Sequence, residues 1–346
     1  MSTADWKVHF VGTGSLISHP FRALPATLVN AGDFHYLFDC GDGTVTRLRT
    51  IDKIGVDVVV VTAIGTSELS GILNLAEVHR RSQRSRLPIA GPTGLKEALE
   101  GLCSVSAFST AELFEILIPD TSGVLHTHGR QHLEAIPMAV PGDHSSGYVL
   151  YEEPLPGRVD AKKAKERGIK GSEFSRLLDG ETVRRVRPDD VIGPSRLGRR
   201  FVLSGRGRAT EELQAALQGS DVAVFATPFT DDRLEVATES GYFTGWEAAE
   251  IAHQHNVKLP VIQRLGTQSR PSYQVAEARQ FNRRVVAAHD GDWIQLPLPE
   301  KGGPVFHRGS DATKPTATGP KKSPQGRLPS RPNRLQDRRS NGGSNR

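Results

Sequence analysis

The seven residues Val56-Asp-Val-Val-Val-Val-Thr62 are nearly all β-branched, and a helical apolar pattern comes after them from Ser67. Side chains branched at Cβ are stiff at χ1 and pack well on a pleated surface, so this segment reads as a strand buried on both faces. Such a strand needs a layer on either side, and the flanking sequence supplies candidates. Strands are expected at Lys7–Val11, Thr27–Asn30, Tyr36–Asp39 and Leu87–Ala90. A helix is expected over Ser67–Gln83 with Ser67 as N-cap, and another near Gly94–Leu102.

The second half repeats the theme. Leu113–Ile118, Gly123–His128, Leu133–Val140 and Tyr148–Glu152 read as successive strands of a meander, and a charged segment containing glycines then interrupts the pattern over 154–187. Alternation resumes with strands Arg200–Ser204, Asp221–Ala226 and Leu259–Arg264, and helices over Thr210–Leu217, Thr244–His255 and Ser272–Val286. Two similar halves of strands and helices fit an α/β sandwich, with two sheets face to face and helices outside.

Charge separates this body from the C-terminal segment. Residues 301–346 hold eleven Lys or Arg and two Asp, while residues 1–300 hold 33 basic and 37 acidic side chains. The chain's formal charge of +5 is therefore a basic tail on a mildly acidic body. Rich in Gly, Pro, Ser, Asn and Arg, the tail is too poor in apolar side chains to offset its ordering entropy, so disorder is expected over 299–346, with the folded domain at 1–298. Such an arm suits electrostatic contact with nucleic acid, or serves only solubility. Cys40 and Cys103 are too few for a disulfide framework or a cysteine zinc site. With no signal-peptide core at the start and no apolar run of about 18 residues, a cytoplasmic protein with no membrane partner is expected.

Several segments together resemble the ribonuclease Z branch of the metallo-β-lactamase superfamily. They are Phe10-Val-Gly-Thr-Gly-Ser15, Tyr36-Leu-Phe-Asp-Cys-Gly-Asp-Gly-Thr44, Gly147-Tyr-Val-Leu-Tyr-Glu152, Pro156-Gly-Arg-Val-Asp160 with the basic run to Gly180, and Gly241-Tyr-Phe-Thr-Gly-Trp-Glu-Ala-Ala-Glu-Ile-Ala252. They cover roughly residues 8–290 in unbroken order. The resemblance implies a metallo-β-lactamase αββα sandwich, an arm at 154–187 that grips tRNA, a homodimer, and cleavage by two metal ions held by His and Asp. Clustered ligands are needed there because the two ions jointly activate one water.

In register, the family's His-x-His-x-Asp-His positions hold Ala63, Gly65, Ser67 and Glu68. The next histidine falls on Val140 or Pro141, the bridging aspartate on Arg206, the last histidine on Arg264, and the Glu and His beside the leaving group on Ala226 and Tyr242. No cofactor is therefore expected, with zinc only under an alternative in which the site has moved. His126 and His128 share a strand face and have His132 nearby, and Asp143-His144 lies beside the lost histidine position. A solvated strand face is the favoured reading of the first pair.

Arg206 and Arg264 put cations where metals are expected, and guanidinium suits phosphate. Either they bind RNA phosphate, helped by backbone donors at Gly65-Thr66-Ser67, or Glu68 pairs with one or both and fills the site. On the arm, Lys162, Lys163, Lys165 and Arg167 are the candidate phosphate contacts, although the resembled Gly-Pro tip reads Gly171-Ser172. The expected function is a catalytically inactive relative that binds tRNA or structured RNA, or acts as a scaffold, pairing with itself or with an active paralogue. The alternatives are an active metal-dependent tRNA 3′-processing endonuclease with a relocated site at His126, His128 and His144, and a protein-interaction module without RNA affinity.

Overall fold

Alternation along the first strand sets the layering: Trp6, Val8 and Phe10 are fully buried, whereas Lys7 is exposed. The computed structural model describes residues 4–51, 55–82, 85–119, 123–140, 145–265 and 270–309. Its first half supplies β1 (Trp6–Gly12), β2 (Ala26–Ala31), β3 (Phe34–Phe38), β4 (Val58–Val60), β5 (Leu87–Ala90) and β6 (Phe114–Ile116). Then come β7 (Val124–His128), β8 (Gln131–Pro137), β9 (Ser146–Glu152), β10 (Arg200–Leu203), β11 (Val222–Ala226), β12 (Leu259–Gln263) and β13 (Val286–Ala287). Finally β14 (Trp293–Leu296) and β15 (Val305–His307) return to the first sheet. The sheet orders are β15-β14-β1-β2-β3-β4-β5-β6 and β13-β12-β11-β10-β9-β8-β7.

The two sheets close on one another through Trp6, Val8, Phe10, Phe38 and Val60 on one side and Tyr148, Leu150, Phe201, Leu203 and Val224 on the other. Each outer face is roofed by helices. Leu28, Leu37 and Val59 pack with Ile72, Leu75, Leu95 and Leu99, and Val202, Ala223 and Phe225 pack with Leu213, Ala249 and Ala252. Hydrophobic burial on three levels thus realises the expected αββα sandwich.

Three local expectations change. The helix expected over Ser67–Gln83 is two helices, Thr66–Leu69 and Ile72–Arg81. They part where Gly71 donates its N–H to Cys40 O, in so close an approach that a Cβ on Gly71 would lie 2.4 Å from Gly41 O. Ser67 is not the N-cap; Gly65 is, and the Ser67 hydroxyl donates instead to Glu68 Oε2 at 2.7 Å. The last helix, Pro271–Phe281, stops short of Val286, because Asn282 Oδ1 accepts the Arg284 N–H in a local turn and β13 comes next.

The expected disordered segment begins too early. Residues Pro299–Lys301 form a 3₁₀ turn, and Val305–His307 pair with β14 as an edge strand. Phe306, a stray apolar residue by composition alone, packs against the inter-sheet core. Residues 310–346 lie outside the described residues. Among the described residues no helix is long and apolar enough to cross a membrane.

Between β9 and β10 the arm builds a core of its own from Ala164, Ile169, Leu177, Val183, Val186 and Val191. Its two ends meet at the isolated bridges Leu155↔Arg196 and Val159↔Ile192. Glu300 then ties its root to the body, accepting from Arg158 at 3.0 Å and Arg196 at 2.9 Å.

Candidate functional site

The two sheets are stitched together at one end of the sandwich. The Tyr148 hydroxyl donates to Val61 O at 2.6 Å, the Ser146 N–H donates to Thr62 O at 2.9 Å, and Ala63 bridges Ser145. The strand-to-helix loop Ala63-Ile64-Gly65 sits at this seam, with Ala63 and Glu68 both 2% exposed.

Across the seam, the Arg264 guanidinium lies between two carboxylates. It donates through Nη1 to Glu68 Oε1 and through Nη2 to Asp39 Oδ2 at 2.9 Å, and all three side chains are buried. Thr62 completes the arrangement, its N–H donating to Asp39 Oδ1 at 2.7 Å and its hydroxyl to Asp39 Oδ2 at 2.9 Å. Asp39 comes directly after β3 and Arg264 directly after β12, and both adopt left-handed backbone angles, φ 60° and 64°. That region is tolerable for Asp and unusual for Arg, and it marks a position held by its surroundings. A Cβ on Gly65 would lie 2.5 Å from Glu68 Oε2, so the carboxylate fills the space beside the glycine.

Sequence reasoning found Arg264 and its Glu68 partner but missed Asp39. The signal was present in Phe38-Asp39-Cys40-Gly41, an aspartate directly after an apolar strand. Burial, with the Glu68 carboxylate adding and Arg264 and the Thr62 bonds opposing, pushes the Asp39 carboxyl up to about 7. An ordinary aspartate lies near 4. The folded state therefore holds the Asp39 proton more tightly than the unfolded one, and stability that this group contributes below pH 4 is lost as pH rises towards 7. Urea unfolding of the native chain and of Asp39→Asn at pH 4.5, 5.5, 6.5 and 7.5 is expected to show native stability falling relative to the variant. A constant difference would contradict this.

Arg206 takes a different place. Half-buried, it donates from Nε to Ser240 O at 3.0 Å, with its guanidinium 5.7 Å from the centre of the buried Tyr242 ring. Burial pushes the Tyr242 hydroxyl up, with Arg264 and Arg206 opposing. Arg208 is committed to a two-point ion pair with Glu247, at 2.8 and 2.5 Å. Val140 packs its methyls against Gly241, 3.0 Å from where a Cβ would stand. Pro141, Asp143 and His144 lie outside the described residues.

His126 and His128 stand on a partly solvated face shared with an aromatic ring, the His128 side chain being 41% exposed. Phe34 stacks on both, at 4.8 and 4.4 Å between ring centres, and the Tyr36 hydroxyl meets His126 Nδ1 at 3.2 Å. Burial, then the neighbouring His128, lowers the His126 pKa. Among the described residues, no third His, Cys, Asp or Glu side chain joins the two imidazoles in a metal-holding group.

On the arm, Lys162, Lys163 and Lys165 are exposed on the helix Ala161–Glu166, which Asp160 caps by accepting the N–H groups of Lys162 and Lys163, both at 3.1 Å. Arg167 turns to Asp190 at 3.7 Å and belongs as much to the arm's own packing.

No protein-family model matches the chain. It is 32% identical over 308 residues to "Ribonuclease Z" of Halorubrum lacusprofundi, covering 85% of this chain and 98% of the relative. It is 31% identical over 310 residues to "Ribonuclease Z" of Haloarcula marismortui, covering 85% and 98%. Among solved structures, a metallo-beta-lactamase fold protein from Bacillus subtilis superposes with a TM-score of 0.61 at 15% identity, covering 84% of this chain and 98% of its own. Human tRNase Z, short form, gives 0.59 at 18%, covering 84% and 100%. Zn(2+)-bound PqqB from Methylobacterium extorquens gives 0.54 at 11%, also covering 84% and 100%.

These comparisons correct the expectation that the chain uses no cofactor: its relatives are ribonuclease Z proteins, and a protein of the same fold is zinc-bound. The side chains described at the seam nonetheless do not fit that ion. Asp39 and Glu68 both already hold Arg264, no histidine joins them, and among the described residues no three His, Cys, Asp or Glu side chains gather into a metal-holding group.

Proposed function

We propose, from the premise that this chain belongs to the ribonuclease Z family, that it binds tRNA or another structured RNA through its 154–187 arm and does not cleave what it binds. The observation that carries this is the arm's own apolar core, which holds a lysine-bearing helix in place. Lysines fixed on such a support contact phosphates and set position rather than read sequence. Arg206, at the edge of the seam, is the further candidate phosphate contact. Arg264 is not presented to RNA, since it is 1% exposed and held by two carboxylates. The non-cleaving part of the proposal is supported by that same ion triad, in which both carboxylates at the seam are already committed to Arg264.

The test is fluorescence anisotropy with a 3′-extended tRNA. The variant Lys162→Glu/Lys163→Glu/Lys165→Glu is expected to bind at least about tenfold more weakly at 0.15 M salt. The slope of log affinity against log salt should fall by about 2 to 3, near one unit for each phosphate that a lysine no longer neutralises. Unchanged affinity overturns the arm as the binding element. Release of the 3′ extension by the native chain with Zn²⁺ supplied overturns the non-cleaving part and leaves the binding part standing.

A further inference from the structure

The helices Gly245–Gln254 and Pro271–Phe281 lie side by side outside the second sheet, and their outer side carries rings and cations together. Tyr273 is 49% and Phe281 36% exposed. Eight residues, or about 12 Å, separate them along one stripe of the helix. Trp246 meets the Phe281 ring edge-on at 5.2 Å, and His253 does so at 5.7 Å. The Arg270 guanidinium lies 5.8 Å from the Tyr273 ring centre, and Arg283 and Arg284 are exposed just past Phe281.

The acidic residue within the stripe is turned to other work. Glu277 accepts the backbone N–H of Asp231 at 2.9 and 3.0 Å and that of Trp246 at 3.1 Å, so its charge is drawn towards the start of the neighbouring helix. Half-buried Glu250, one turn beyond Trp246, is the carboxylate that remains against Arg270, Arg283 and Arg284. Between the rings the exposed helix positions are Ala276, Arg279 and Gln280, and Arg279 donates from Nε to Val285 O at 3.1 Å. They break the apolar surface into separate rings and leave no continuous groove for a protein partner.

We propose that this stripe is a docking surface for single-stranded RNA, with bases stacking on Tyr273 and Phe281 and phosphates meeting Arg283 and Arg284. The chemistry is that of sequence-tolerant strand binding, in which every base offers a π-face and cations track the backbone. The inference rests on the RNA-binding reading above and deepens it: the arm takes the folded part of the RNA and this stripe an unpaired part.

The probe is a 12-nucleotide oligouridine carrying 4-thiouridine, used with the full-length chain. Photo-crosslinking is expected to attach it within residues 270–284. Tyr273→Ala is expected to weaken binding about tenfold, and Tyr273→Trp to preserve it, because a ring is what the base needs. Arg283→Glu/Arg284→Glu weakens binding likewise and flattens the salt dependence, whereas the triple arm variant leaves oligouridine affinity unchanged while its affinity for 3′-extended tRNA falls. Thermal melting of each variant guards against loss of fold, and the crosslink position in the native chain stands without any variant. Crosslinks confined to other segments, or equal binding by Tyr273→Ala and the native chain, overturn the proposal and leave the arm untouched. Equal or tighter binding of a polyglutamate of the same length also overturns it, since the stripe then takes acidic polypeptide.

Discussion

Arg264→Ala is expected to lower the unfolding free energy by about 3–5 kcal/mol at neutral pH, the scale seen when one partner of a buried charge network is removed. The loss is large against the roughly 5–15 kcal/mol that holds a typical domain together. It arises because Asp39 and Glu68 would stay buried without the cation between them. The effect carries a pH signature. Protonating Asp39 removes one of the two uncompensated charges, so the variant recovers part of its stability as pH falls from 7 to 5. Arg264→Met combined with Asp39→Asn and Glu68→Gln regains most of the loss, since neutral side chains of similar volume need no counter-charge. Urea unfolding of the three proteins decides it. A drop of under about 1 kcal/mol for Arg264→Ala would show that water reaches the triad.

Leu177→Ala tests the arm in a different way. Leu177 is fully buried among a handful of apolar side chains. Truncating a buried leucine typically costs about 2–5 kcal/mol, and so small a cluster has little in reserve. The arm is expected to open locally while the sandwich, whose core shares none of these residues, melts as before. Limited proteolysis should therefore cut within 154–187 many times faster than in the native chain. Affinity for 3′-extended tRNA falls about as far as in the triple lysine variant, although every lysine is still present. Native-like proteolysis together with weakened binding would mean that Leu177 acts by another route than ordering the arm.

The layers of this fold were legible because burial on two faces and on one face leaves different traces. The β-branched run that became β4 and the amphipathic helices roofing the sheets declared themselves by composition and period. The features that stayed hidden depend on backbone approach. The break at Ser70-Gly71 arises from Gly41 lying against Gly71, a contact thirty residues apart that no window of sequence contains. Likewise β15 is three residues long and owes its existence to pairing with β14, so its tail-like composition concealed it. At the seam, the replaced ligand positions could be read by register, and Glu68 as partner of Arg264 could be foreseen from charge. For Asp39 the sequence marks its place directly after an apolar strand but not its partner, because the pairing depends on β3 and β12 ending at the same place in space. The environment of His126 was hidden for a related reason. Alternation along β7 says which side chains share a face, but not that Phe34 of another strand fills it.

The first sheet holds both β1 and the two strands that come last, with Trp6 opposite Leu296 and Trp293 opposite His307. During synthesis, β1 emerges from the ribosome nearly three hundred residues before its outer neighbour exists. Its hydrogen-bonding edge stays open through almost the whole of translation, an invitation to pair with any passing strand. The sandwich is thus sealed only when Trp293–His307 arrives. A nascent chain halted near residue 290 is expected to depend on chaperones that a chain released some twenty residues later does not need.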